Sequence, residues 1–265
     1  MTALLEHFSL AHQPFPRVAP EEAILRHKGL EEVLAKLHFA LERDTIALLV
    51  AGSGCGKSTA LSLFARSLDA SHHQLATLSH TTLGPFSLIS SIATSLGLKP
   101  RRFKGDTAAA LLGHLRSLPR RFVLVIDEAH LLPDESLVDL RLLTADDFDR
   151  RSPFAMILCG QPLLRERLSE PRHEALSQRI GVRIRLRPLT EAEIGLFIAL
   201  HCKAAGAAGA VFDPQATALI FQHSRGVPRL AQNLALGAAL AAMAAGSATV
   251  DAVAVQQAMV DLEDL

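Results

Sequence analysis

The sequence predicts an α/β domain, a parallel sheet flanked by helices, followed by a small all-helical domain. Three observations carry this. Apolar runs at residues 46–50 and 122–126 read as strands buried on both faces of a parallel sheet. Segments of helical spacing separate successive strands, and that alternation calls for a sheet with helices on both sides. From Thr190 onward the pattern is purely helical.

The elements follow in order. Residues 1–28 read as an irregular segment, punctuated by Pro14, Pro16 and Pro20. Residues 29–42 place Leu30, Val33, Leu34, Leu37 and Leu41 at helical spacing. The strand at 46–50 runs into glycines and then a helix. A second strand is expected at 74–78, then helices at 85–96 and 106–118. The strand at 122–126 precedes a helix at 134–144, a strand at 154–159 and a short strand at 182–186 with alternating arginines. Helices are expected at 190–205, 213–223, 227–245 and 251–262. Thr190 opens Thr-Glu-Ala-Glu, a helix cap with Glu193 at the third helical position. The boundary falls near 188, giving domains 1–188 and 189–265.

Composition narrows the function. Half the chain (49%) is hydrophobic and 20% charged, which suits a soluble protein with a sizeable core. The alanine-rich run at 235–245 is too short and too weakly apolar to span a bilayer. The N-terminus shows no basic-then-apolar leader, so a cytoplasmic protein is expected. Cys55, Cys159 and Cys202 lie far apart, suggesting no disulfide framework or metal site. Formal net charge is zero, so bulk electrostatics predict no nucleic-acid partner. Without Trp or Tyr, base stacking would rest on Phe or Arg, which argues against a dedicated single-strand binder.

Two motifs carry chemistry. Residues 46–59 read IALLVAGSGCGKST. A buried strand there feeds a loop whose N–H groups cradle phosphates, and the next helix points its positive end at them. Ala51, Gly52, Ser53, Gly54, Cys55, Gly56, Lys57, Ser58 and Thr59 are the expected nucleotide contacts. Lys57 would reach the β/γ-phosphates and Ser58 would ligate Mg²⁺. The pattern G-x-x-x-x-G-K-[ST] has Ala51 in place of its first glycine, a small residue the loop tolerates. The second motif, FVLVIDEAH at 122–130, sets two carboxylates at a strand's C-terminal end, where open α/β sheets hold ligands. Asp127 would hold Mg²⁺ and Glu128 would polarise the attacking water.

Together these residues resemble AAA+ ATPases, in which a P-loop α/β domain precedes a helical lid. The lid segment SRGVPRLAQNL at 224–234 is similar to the G-x-P-R segment of such lids, so the resemblance maps Arg229 onto sensor 2, touching the γ-phosphate. Cys-Gly-Gln at 159–161 maps Gln161 onto sensor 1. ALSQRIGVRIRL at 175–186 resembles the region that lends an arginine finger to the neighbouring subunit. Arg179 fits that role best, with Arg172 and Arg183 as rivals. His80 follows the second strand, where some AAA+ proteins restrain the catalytic glutamate; it is not expected to do so.

EHFSLAHQPF (6–15), DEAHLLP (127–133), CGQPLLRERL (159–168) and the lid segment resemble the ExeA-type group. That group includes secretion-pathway ATPases and relatives of the transposition ATPases TniB, TnsC and MuB. Secretion members usually add a membrane helix and a cell-wall-binding domain, and the chain's end at Leu265 favours the transposition side. The resemblance then implies ATP-dependent assembly into a ring or filament on duplex DNA, with a transposase recruited there. Lys99, Arg101, Arg102 and Lys104 in KPRRFK are the expected phosphate contacts. Arg120-Arg121 and Arg150-Arg151 read as turn or interface residues. The competing expectation is an ATPase that remodels a protein complex without DNA. A DEAH helicase fails because it needs two tandem nucleotide-type domains. A switch that barely hydrolyses ATP is disfavoured by Glu128 and Arg229.

Overall fold

A computed structural model describes residues 2–79, 84–144 and 152–263. In chain order its elements are α1 (Thr2–His7), α2 (Lys28–Glu42), β1 (Ile46–Val50), α3 (Lys57–Ser67), β2 (His73–Leu78), α4 (Pro85–Ser95) and α5 (Lys104–Ser117). Then come β3 (Arg121–Ile126), α6 (Asp134–Leu143), β4 (Ala155–Gly160), α7 (Pro162–Leu168), α8 (Glu174–Gln178) and β5 (Ile180–Arg185). The helices α9 (Glu191–Ala204), α10 (Pro214–Ser224), α11 (Pro228–Ala244) and α12 (Ala252–Glu263) follow. No helix among the described residues is long and apolar enough to cross a membrane.

The chain divides into two compact units. One comprises residues 29–53 and 57–186 and holds the sheet. Its five strands are all parallel, in the order β2-β3-β4-β1-β5. The central strands β1 and β4 are buried at every position, as their apolar composition requires. The edge strand β5 alternates buried Ile180, Val182 and Ile184 with exposed Gly181, Arg183 and Arg185, so its arginines face away from the core. Leu48, Leu124, Ile126, Met156 and Leu158 pack with Ile92, Leu111 and Leu137 from the helices into one core.

The other unit comprises residues 1–28, 54–56 and 187–265. Residues 1–28 were expected as an irregular part of the nucleotide domain, but they group with the C-terminal helices. Their physical reason is apolar. Leu4 and Phe15 are buried in one cluster with Phe197, Phe212, Ile220 and Val255. Gln232 donates its side-chain amide to the Phe15 and Pro16 carbonyls, and Ala11 and His12 donate backbone N–H groups to the Ala205 carbonyl. Residues 2–7, read as irregular in the sequence, form α1, and the segment after them is anchored by these bonds. The expected cap of α9 is present in both directions. Glu193 N–H donates to the Thr190 hydroxyl and Thr190 N–H donates to the Glu193 carboxylate.

Candidate nucleotide site

Strand order builds the site. β4 lies between β1 and β3, with Cys159 opposite Leu49 and Leu158 opposite Ile126. The C-terminal ends of three neighbouring strands therefore present the glycine loop, Gln161 and the pair Asp127-Glu128 side by side. Cys159 reports this convergence. Burial raises its thiol far above the ordinary range; the Asp127 carboxylate, to which it is hydrogen-bonded, and Glu128 add to this, while Lys57 pulls the other way.

The loop chemistry follows from backbone geometry. Positive φ falls at Gly54 (75°) and Gly56 (93°), the conformations that L side chains rarely adopt. Ala51 is buried and its N–H donates to the Gly160 carbonyl, so no glycine is needed there. Lys57 begins α3 and is only 6% exposed. Its ammonium donates to the Ala51 and Gly52 carbonyls, each at 3.1 Å. Ser58 and Thr59, in the first turn of α3, are exposed. Asp127 accepts the Glu128 N–H at 2.9 Å. The Ser58 hydroxyl and Asp127 carboxylate are hard oxygen donors that suit Mg²⁺, which would neutralise phosphate charge there. Glu128 has a left-handed φ of 50°.

The other expected site residues divide. Gln161 caps α7 through its backbone, with Pro162 first in the helix. In the helical unit, which includes residues 54–56, Arg229 is the second residue of α11 and its N–H donates to the Gly54 carbonyl at 3.3 Å. A Cβ on Gly54 would stand 2.8 Å from Arg229 Cβ. Arg179 closes α8 and donates to the Thr144 carbonyl at 3.1 Å. Its rival Arg172 pairs with Asp134 and Glu170, and Arg183 donates to the carbonyl and hydroxyl of Ser177.

Of the basic segment, Lys99, Arg101 and Arg102 are exposed, and Arg102 lies over the Phe103 ring. Lys104 is not in a turn before the helix but opens α5. It bonds both oxygens of Asp139, a side chain only 7% exposed, at 2.9 and 3.1 Å. Arg120 donates to Ala70 and Gln74, and Arg121 pairs with Asp44. His80, Arg150 and Arg151 lie outside the described residues.

One residue escaped the sequence reading. His130 of the DEAH segment is buried beside Glu128, and the letters alone gave it no role. The cluster on Asp134 was likewise unforeseen. Arg167, Arg172 and His173 converge on it, and Arg167, with help from His173 and Arg172, holds its carboxyl below the usual range.

Residues 40–168 match the family described as an AAA domain. That match takes in the glycine loop, the Asp127-Glu128 pair and Gln161. General secretion pathway protein A of Aeromonas hydrophila is 28% identical over 249 residues, covering 91% of this chain and 45% of the relative. The chain thus spans less than half the length of that relative. Among solved structures, the Aeropyrum pernix Orc1 protein in complex with DNA aligns with a TM-score of 0.66 at 21% identity, over 94% of this chain and 67% of that one. The Thermotoga maritima RuvB Holliday junction branch migration motor aligns at 0.59 and 23% identity, over 88% and 69%. These structures share the fold: a parallel five-stranded AAA+ P-loop sheet with helices after it.

Proposed function

We propose that this chain binds ATP with Mg²⁺, hydrolyses it, and uses the ATP-bound state to assemble subunits on a partner. The observation that carries the reading is the placing of the glycine loop and the Asp127-Glu128 pair after the ends of β1 and β3, on either side of β4. Lys57 would neutralise the β/γ-phosphates, Ser58 and Asp127 would hold the cation, and Glu128 would orient water for in-line attack. Arg229 would add positive charge at the γ-phosphate, Gln161 would orient it, and Arg179 would act on a neighbouring subunit's ATP.

The first reading of the partner is duplex DNA, at which a transposase would be recruited. Exposed Lys99, Arg101 and Arg102 support it, as does the fold shared with a DNA-bound Orc1. Lys104 contributes less than expected, because Asp139 already offsets its charge. The second reading is remodelling of a protein complex in secretion or assembly. The 28% identity to a general secretion pathway protein favours it.

ATP turnover with and without random-sequence duplex DNA separates the two, with oligomer size followed in ATP at low and moderate salt. Stimulation and a large, salt-weakened assembly support the DNA reading, since phosphate contacts release counterions. Turnover indifferent to DNA, with no salt-sensitive complex, supports the protein-complex reading. No turnover under any condition refutes hydrolysis itself.

A further inference from the structure

His130 has no part in the phosphate chemistry above, yet its ring sits where that chemistry is controlled. Its side chain is 7% exposed, against 40% for Glu128. The His130 Nδ1 lies 3.3 Å from Glu128 Oε2. The same nitrogen lies 3.5 Å from the backbone N of Gln161, at the entry to α7. One ring nitrogen cannot serve both neighbours at once. It donates to the carboxylate only when it carries the proton, and accepts from Gln161 only when it does not. Exchange between the two tautomers of the neutral ring is enough to move it from one partner to the other.

The surroundings hold this ring in place. A Cβ on Gly160 would stand 3.0 Å from Leu164 Cδ2 and 3.3 Å from both the Nδ1 and the backbone N of His130, so the ring packs closely on the end of β4. The His130 carbonyl accepts from Arg167 Nη1 at 2.8 Å. Arg167 also pairs with Asp134, on which Arg172 (2.6 Å) and His173 (3.0 Å) converge. Glu128 has its own backbone fixed by a left-handed φ and by donation to Asp127. His130 touches the Glu128 side chain.

We infer that His130 is a positioning residue for Glu128, and that its Nδ1 couples the carboxylate to the strand end at Gln161. The inference rests on Glu128 being the base. With Nδ1 donating, the carboxylate is fixed. With Nδ1 accepting from Gln161, that contact to the carboxylate is lost, so a shift at the end of β4 reaches the base through one nitrogen.

Steady-state ATP kinetics on full-length wild type, His130→Ala, His130→Asn and Glu128→Gln test this, with binding of a fluorescent ATP analogue measured for each. His130→Ala lowers kcat about tenfold or more with KM and analogue stoichiometry unchanged, as expected when a base loses its alignment. His130→Asn, whose amide can donate near the Nδ1 position, recovers most of the loss. In the Glu128→Gln background, His130→Ala has no further effect. A packing role would instead lower analogue stoichiometry and would be restored by His130→Leu rather than by Asn. That outcome overturns the inference, as does a His130→Ala kcat within about twofold of wild type. Normal turnover by Glu128→Gln removes the base and the inference with it. Loss of turnover in Glu128→Gln, with none in His130→Ala, defeats the inference alone.

Discussion

At Lys57 a buried ammonium rests on two neutral carbonyls, which leaves it ready for an anion. A phosphate would offer a charge-assisted bond, roughly twice as strong as a neutral one. Lys57→Ala should therefore weaken ATP binding by about 2 kcal/mol or more, roughly 30-fold, in a calorimetric titration. Tight binding by that variant would sink the phosphate-loop assignment. Glu128→Gln keeps the shape and removes the base. It should bind ATP with near-native affinity and turn over about 100-fold more slowly. Ala51 shows how much a motif conveys. The pattern names a glycine there, whereas the positive φ angles fall at Gly54 and Gly56. Sequence identified the loop, and backbone geometry explains which glycines it needs.

At the scale of elements, the turn into α11 is tightly constrained. Arg225 and Gly226 both have positive φ, and a Cβ on Gly226 would fall 1.9 Å from the Leu189 carbonyl oxygen. Leu189 N–H donates to the Gly226 carbonyl at 2.8 Å, so the two backbones cannot part cheaply. Gly226→Ala should cost about 2 kcal/mol or more of stability, seen as a lower urea midpoint. A midpoint equal to wild type would mean the turn adapts freely. On α9, His201 stacks on Phe15 with its Nδ1 buried and unpartnered. Burial pushes its ring down to about 4. The folded state thus binds this proton less well than the unfolded chain, whose histidine titrates near 6.5. Stability from this group is full above about 6.5 and is lost as pH falls toward 4, by up to about 3 kcal/mol. Unfolding curves at several pH values in that window should show the slope, and His201→Phe should flatten it. An unchanged slope in the variant would assign acid sensitivity elsewhere.

At the scale of the whole molecule, the first and last parts of the chain make one unit. Leu4 and Phe15 pack in one core with residues of α9 to α12 and of the loops between them. Deleting residues 2–16 should expose that core, lower the thermal midpoint and speed proteolysis within 187–265. Unchanged midpoint and digestion would show the segment to be dispensable. The strands, the phosphate loop, the paired carboxylates and the α9 cap were legible in the sequence. Each is local: alternation, glycine spacing and an i to i+3 cap are written in adjacent residues. The sequence alone thus determined an α/β domain with a glycine loop, a helical segment after it and the candidate residues for phosphate. Tertiary structure decided what depends on residues far apart in the chain. It set β4 between β1 and β3, brought Gln161 to His130, tied Lys104 to Asp139 and buried Phe15 beside His201. Those contacts join positions with no fixed spacing, so only the packed chain specifies them.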